Sequence, residues 1–440
     1  MVDRELHRLT DLTDPASNRI LNMTLEQARS RVARGSAEEV RTIDGSFALV
    51  ARDGQTVRMV RSLDRPLRYF LAKRRDGPEL VVSDRIDGIH RYLDGEGLAG
   101  QFHPSYTRMV PAHHVVEVRL VGCPDPEPTY TRYFAPGRGG LPADPETIGR
   151  VYVGALADEI AKWLAAIPSS APVGVCFSGG VDSGAVFLTT YHVLRRLAMS
   201  PARLKAFTLS AGGGGDVAQA RAFLRALDLE MFLEVIEVEP EAIDPFDAVR
   251  AVEDYKRLDV ESATMALALC RGIRRRYPDW RYLLDGDGGD ENLKDYPIAE
   301  NPELTIVSVL DNPLLYQEGW GVGKMKHSLT YSGGQSRSCS RTYAPLRQNG
   351  FEGFSPFTRP AVIALAEAIP FAALTGYDAE RLYALKGEVV SRGVEAITGL
   401  SMPVFPKRRF QHGALPESEA GRRMPFDETA YRMHFLSLYS

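Results

Sequence analysis

A glycine-rich hexapeptide that follows an apolar run is the strongest chemical feature of this sequence. The chain reads Ser178-Gly179-Gly180-Val181-Asp182-Ser183 directly after residues 173–177, and a helical pattern follows. The two glycines let backbone N–H groups approach anionic oxygens without a Cβ in the way, and the helix N-terminus adds partial positive charge. This context predicts a phosphate-binding loop. It is not a kinase-type P-loop, because no Gly-Lys-Ser/Thr follows the glycines.

Within the hexapeptide, Asp182 has a different predicted role from its neighbours. Its carboxylate would repel a phosphate, so we expect it to bind Mg²⁺, which prefers carboxylate and phosphate oxygens. Ser178 and Ser183 add hydroxyl donors beside the glycine N–H groups. The alternative is a plain strand-turn-helix connection whose glycines only make the turn, and the complete hexapeptide argues against it.

Two segments resemble the signatures of a known enzyme family. The hexapeptide is similar to the ATP-pyrophosphatase loop, SGGxDS, of asparagine synthetases, β-lactam synthetases, carbapenam synthetases and lasso-peptide macrolactam synthetases. Residues 285–291, Asp-Gly-Asp-Gly-Gly-Asp-Glu, resemble the second signature of that family. The resemblance implies that Asp290 is the second Mg²⁺ ligand. It also implies that Asp287, which stands where asparagine synthetases have Glu and β-lactam synthetases have Tyr, is the catalytic base. A turn-forming Asp between glycines is the alternative for Asp287.

The resemblance continues towards the end of the chain. Residues 354–357 resemble the family's PF(L)D segment, although Arg359 falls where an acid is usual, and residues 406–411 resemble its closing RPK-x-x-F segment. Counting back from Lys407 reaches Lys386 within one residue of the spacing of the family's pyrophosphate-binding lysine, so the resemblance implies a catalytic role for Lys386. It further implies a nucleotide-binding set made of Cys176, Ser178, Gly179, Gly180, Asp182, Ser183, Leu209, Asp216, Gly286 and Lys407.

The N-terminal part resembles the second half of a glutaminase domain. Residues 44–50 are similar to the G-x-F-A strand of that domain, and residues 64–69 are similar to its RPLYY segment. A glutaminase of this class uses an N-terminal Cys as nucleophile, exposed after removal of Met, with its own α-amine as base. Here position 2 is Val, and the first cysteine is Cys123. We therefore expect a degenerate, truncated Ntn-glutaminase-like domain that does not hydrolyse glutamine.

The elements that position these residues fall into two predicted domains, residues 1–140 and 141–440, with a Pro/Gly-rich stretch near the boundary. In the first domain, about 35 residues with helical periodicity precede an antiparallel-rich sheet, with strands predicted at 47–50, 57–60, 69–72, 80–82 and 115–118. In the second, predicted helices alternate with predicted strands at 173–177, 204–209, 233–238 and 282–284. The helices are predicted near 147–166, 183–198, 216–227 and 246–277. This alternation predicts an α/β fold with a doubly wound parallel sheet, ATP-pyrophosphatase (HUP-like) in class, and a mostly helical remainder from about 300.

Composition excludes several classes of protein. The chain is 44% hydrophobic and 25% charged, as globular proteins are, and a net charge of −4 gives no general attraction to nucleic acid or an anionic membrane. Four cysteines form no CxxC pair, and no stretch reaches the length of a membrane span. We expect a cytoplasmic protein with no nucleic-acid or membrane partner; a homodimer or a biosynthetic partner protein stays open.

These features together predict an ATP-dependent, AMP-forming carbon–nitrogen ligase with ATP and Mg²⁺ as cofactors. Its substrates would be a small-molecule or peptide carboxylate and amine, joined by cyclisation or coupling in natural-product biosynthesis. A substrate amine is favoured over ammonia, because channelled ammonia needs a donor domain. One alternative is ammonia-dependent amidation, as in asparagine synthetases. The others are a tRNA-modifying or sulfur-transfer enzyme that adenylates a base, and a non-catalytic ATP-binding scaffold.

Overall fold

A computed structural model describes residues 8–75, 77–121, 127–296, 298–300, 304–311, 334–406 and 428–440, without the side chains of 300 and 334–340. The described residues divide into two compact units. The first contains those up to Ala135, residues 334–337 and Met433–Ser440, and the second contains the other described residues from Pro136 to Arg432.

The described residues up to Ala135 form two four-stranded sheets and three α-helices. The strands are β1 Arg8–Asp11, β2 Arg19–Ile20, β3 Gly45–Ser46, β4 Ala48–Asp53, β5 Thr56–Arg61, β6 Arg68–Arg74, β7 Gly77–Ser83, β8 Arg108–Met109, β9 His114–Arg119 and β10 Thr129–Arg132. The helices are α1 Leu25–Arg34, α2 Ala37–Arg41 and α3 Ile86–Gly95. The sheet orders are β1-β7-β6-β8 and β10-β9-β5-β4, and every pairing is antiparallel except that of β1 with β7. Strands β2 and β3 form a separate short pair.

Side-chain alternation places the two sheets face to face. Val57 and Met59 of β5 share one apolar core with Tyr69 of β6 and with Leu80 and Val82 of β7. The intervening residues of β6 and β7 point to the opposite face, where they pack on α3. Helix α1 covers the outer face of the second sheet with Ala28 and Val32, which are one turn apart and fully buried. The unit is therefore layered as helix, sheet, sheet and helix.

The second unit contains five strands and most of the helices. The strands are β11 Val173–Cys176, β12 Leu204–Ser210, β13 Leu233–Glu237, β14 Tyr282–Leu284 and β15 Glu352–Phe354. The helices are α4 Pro145–Ala165, α5 Val181–Arg196, α6 Asp216–Arg225, α7 Pro245–Val252, α8 Arg257–Arg276, α9 Gly289–Asn292, α10 Ile306–Asp311, α11 Gly334–Gln348, α12 Pro360–Glu367, α13 Phe371–Thr375 and α14 Ala379–Thr398. A last described helix, α15, spans Glu428–Ser437.

The five strands form one parallel sheet in the order β13-β12-β11-β14-β15. Helices α4, α5, α6 and α14 pack on one face of this sheet. Helices α8 and α11 pack on the other face. The prediction of a parallel sheet with helices on both faces is confirmed, as are the predicted strands β11 to β14.

Two local predictions are wrong, and one strand was not predicted. About the first 35 residues were predicted to be helical, but Arg8–Asp11 forms strand β1, which pairs with β7. Helix α1 starts only at Leu25. The predicted helix over 246–277 is two helices, interrupted where Glu253 adopts a left-handed conformation at the end of α7. The part after residue 300 adds a fifth strand, β15, whose three residues are too few to show a period.

Candidate active site

The two signature segments meet at the carboxyl edge of the parallel sheet. The hexapeptide follows β11 and residues 285–290 follow β14, and these two strands are hydrogen-bonded neighbours. The chain continues outward from β11 through β12 to β13 on one side, and through β14 to β15 on the other. Open α/β sheets bind ligands at such a switch point, outside the carboxyl ends of the strands.

The hexapeptide forms a compact loop that leads into α5. Ser183 Oγ accepts a hydrogen bond from Ser178 N at 3.2 Å, and Ser178 Oγ accepts one from Gly180 N at 3.3 Å. Gly179 has φ +73°, and a Cβ there would lie 2.9 Å from the backbone of Ala220 on α6, so only glycine fits without strain. No side chain among the described residues caps the first turn of α5. Its N–H groups therefore remain suited to an anion.

Lys386 joins the two signature segments through a cluster of carboxylates. It lies on the buried face of α14, and its Nζ donates hydrogen bonds to Asp182 Oδ2 at 2.6 Å and to Asp290 Oδ1. Asp295 Oδ2 lies 3.3 Å from the same Nζ. Burial by itself would lower the pKa of the Lys386 ammonium, but the carboxylates of Asp182, Asp290 and Asp295 outweigh it and raise that pKa above its usual value. The structure thus brings together three residues that were predicted from separate segments.

The carboxylate pair of Asp182 and Asp290 has the chemistry of a magnesium site that is completed by a nucleotide. In the described part of the chain, no group of three His, Cys, Asp or Glu side chains is arranged to hold a metal by itself. Mg²⁺, however, is usually bound by one or two carboxylates, with phosphate oxygens and waters in the remaining positions. The Asp182 and Asp290 carboxylates contact the same Lys386 Nζ, so they are close enough together to be two ligands of one ion.

Asp287 lies in the turn between β14 and α9, three residues before Asp290. Its backbone N–H donates to Asp285 Oδ1 at 3.0 Å, and its Oδ2 is a buried oxygen with no hydrogen-bond partner among the described residues. Burial, followed by the nearby Asp285 carboxylate, raises the pKa of Asp287 well above its usual range, while a hydrogen bond from Thr342 acts in the opposite direction. Such a carboxyl group takes up a proton more readily than an ordinary aspartate does, as a general base must.

Thr342 is held in place through its neighbour on α11. Arg341 Nε donates to Asp259 Oδ1 of α8 at 2.6 Å, and the Asp259 side chain is almost completely buried. This ion pair connects α8 to α11, the helix that also carries Thr342.

The other predicted nucleotide-binding residues lie around the same edge of the sheet, with one exception. Cys176 ends β11, Leu209 lies near the end of β12, and Asp216 is the buried first residue of α6. Burial, and then the neighbouring Cys270, raises the pKa of the Cys176 thiol well above its usual value, so a neutral thiol suits a pocket wall better than a nucleophile. Lys407 lies outside the described residues.

The structure adds residues that sequence reasoning missed. Asp295 contacts Lys386, and Asn292 donates from Nδ2 to Tyr152 Oη at 3.1 Å and to the carbonyl oxygen of Phe357 at 2.9 Å. Asn292 thereby connects α9 to α4 and to the segment after β15. The only signal for Asp295 in the sequence was its place at the end of an acid-rich run that begins at Asp285.

The fold and this site place a glycine-rich loop and paired carboxylates at the switch point of a parallel sheet, an arrangement typical of nucleotide-binding α/β enzymes. Comparison with protein-family models finds that residues 161–342 match the asparagine synthase family. The match covers less than half of the chain and includes both signature segments, and it supports membership of the asparagine synthetase family. It indicates an ATP-dependent amide-forming ligase in general terms, in a family that uses ATP and usually Mg²⁺.

A search of curated protein sequences gives no match. Among the described residues, no helix is both long enough and apolar enough to cross a membrane.

Proposed function

We propose that this protein uses ATP to adenylate a substrate carboxylate, with release of pyrophosphate, and passes the acyl group to an amine of a substrate. The observation that carries the proposal is the cluster of Lys386 with Asp182 and Asp290 beside the glycine loop. Asp295 adds a fourth ionised group to this cluster. Burying ionised groups costs several kcal/mol of desolvation per ion, so their convergence indicates a functional role rather than a contribution to stability.

In the first half-reaction, a carboxylate oxygen attacks the α-phosphorus of ATP and pyrophosphate leaves. The N–H groups of the loop and of the first turn of α5 would hold phosphate oxygens. Asp182 and Asp290 would hold Mg²⁺, which neutralises charge on the phosphates. The Lys386 ammonium is within reach of the same place and would stabilise the departing pyrophosphate.

In the second half-reaction, the amine attacks the acyl carbon of the acyl-adenylate, AMP leaves, and the amine loses a proton. Asp287 would accept that proton, because it combines a buried, unbonded oxygen with a pKa raised mainly by burial. The products are an amide, AMP and pyrophosphate.

The nitrogen is proposed to come from a substrate amine, in a cyclising or coupling step of natural-product biosynthesis. Residues 1–122 contain no cysteine, so the proposal takes no thiol for glutamine hydrolysis from this part of the chain. The helix-sheet-sheet-helix layering of that unit supports its interpretation as a retained glutaminase-like scaffold. The HUP-like class of the second unit is supported by its strand order and by the position of the loop.

The test is release of pyrophosphate from Mg²⁺-ATP in the presence of a panel of carboxylic acids and amino acids, with products identified by mass. Asp182→Ala should abolish the release, because it removes one of the two metal-binding carboxylates. Asp158→Asn is the matched control, since that side chain is 71% exposed on α4. If Mg²⁺-ATP binds but no acid yields AMP, the result favours the scaffold alternative. If ammonium alone supplies the nitrogen, the ammonia-dependent alternative is correct.

A further inference from the structure

Asp295 is the least exposed of the three carboxylates around Lys386. Its side chain is 11% exposed, compared with 21% for Asp182 and 40% for Asp290. The two more exposed carboxylates belong to the signature segments and are accessible from the carboxyl edge of the sheet. Asp295 approaches the same ammonium from deeper in the fold, so it is the least suited of the three to meet a ligand directly.

The backbone after α9 directs Asp295 back towards Lys386. Asp295 N donates to Asp290 O at 2.9 Å, and Lys294 takes a left-handed conformation with φ +58°, which reverses the chain. The buried Lys294 side chain is itself anchored, because its Nζ donates to Val309 O of α10 at 3.2 Å. The position of Asp295 therefore does not depend on its contact with Lys386.

We propose that Asp295 is a positioning residue, which keeps the Lys386 ammonium beside the pyrophosphate position when Asp182 and Asp290 bind the metal ion. This inference rests on the proposed function. An ammonium group has three N–H donors, and the cluster supplies three carboxylate acceptors for them. When two of these acceptors turn to a cation, a buried ammonium without the third would be left unpaired, which is strongly unfavourable. Asp295 supplies that third acceptor and restricts the position of the Lys386 side chain.

The experiment measures binding of pyrophosphate in the presence of Mg²⁺ by calorimetry, so that no acyl substrate is needed. Asp295→Asn keeps the shape and removes the charge, and it should raise the dissociation constant about tenfold, the effect of losing one charge-supported hydrogen bond. Asp295→Glu should recover part of the affinity. Glu388→Gln is the matched control, because Glu388 is a carboxylate on the same helix that pairs with Arg392 at 2.7 Å.

A double-mutant cycle separates positioning from a general structural role. In a Lys386→Met background, Asp295→Asn should cause no further loss of pyrophosphate affinity, because the group that Asp295 positions is absent. Equal and additive losses in both backgrounds, or unchanged affinity in Asp295→Asn alone, would overturn the inference. A wild-type protein that does not bind pyrophosphate with Mg²⁺ would overturn the proposed function, and this inference with it.

Discussion

Replacing Gly289 by alanine should force the Asp182 carboxylate away from Lys386. A Cβ on Gly289 would lie 3.0 Å from Asp182 Cβ and closer still to Asp182 Cγ and Oδ1. Ordinary carbon contacts lie at about 3.5 Å, so the carboxylate or α9 must shift by about 1 Å. Gly289 does not have a positive φ, so the new side chain causes no backbone strain and the effect comes from this contact alone.

The expected cost follows from the size of that shift. A displacement of about 1 Å in a catalytic group lowers the rate by roughly 10²-fold, equivalent to about 2.7 kcal/mol in the activation free energy. The assay is the rate of pyrophosphate release at saturating Mg²⁺-ATP, together with the melting temperature of each variant.

Gly154→Ala is the matched control, because Gly154 lies in α4 and its added Cβ would meet only Ile397 Cδ1, at an ordinary 3.7 Å. That control should retain full activity and gain about 0.5–1 kcal/mol of helix stability. If Gly289→Ala releases pyrophosphate at the wild-type rate, the position of the Asp182 carboxylate does not matter, and the assignment of this site is refuted.

Two further predictions concern the base and the helix packing. Asp287→Asn should leave pyrophosphate release intact but slow acyl transfer by about 10²–10⁴-fold. Because burial raises the pKa of Asp287, the wild-type rate of acyl transfer should fall as pH decreases, with a midpoint above the usual carboxyl range. Thr342→Val removes a hydrogen bond that lowers this pKa, so it should move the midpoint to higher pH. If Asp287→Asn shows the same midpoint as wild type, Asp287 is not the titrating group. Gly149→Ala should destabilise the fold by about 1–3 kcal/mol in chemical denaturation, because its Cβ would lie 2.8 Å from Gly393 N and closer to Val389 O across the contact of α4 with α14. If Gly149→Ala is as stable as wild type, α4 and α14 can move apart at no cost and the prediction is wrong.

Local patterns in the sequence were sufficient to predict most of the α/β part of the fold. The apolar runs of β11 to β14 and the helical periods between them depend on neighbours a few residues away, so they can be recognised from the sequence alone. The same holds for the loop from Ser178 to Ser183, whose glycines, hydroxyls and following helix are contiguous. Short or edge elements escaped prediction, since β1 and β15 exist only because a distant strand offers hydrogen bonds.

The convergence of the charged residues was decided only by the tertiary structure. Lys386 and Asp182 are separated by 204 positions in the chain, and their 2.6 Å contact arises because α14 packs beside the start of α5. The sequence shows which residues carry charge, but electrostatic pairing depends on distance in space. For that reason Asp182 and Asp290 could be proposed from their motifs, whereas the third carboxylate, Asp295, and the hydrogen bond from Thr342 to Asp287 emerged only from the folded chain.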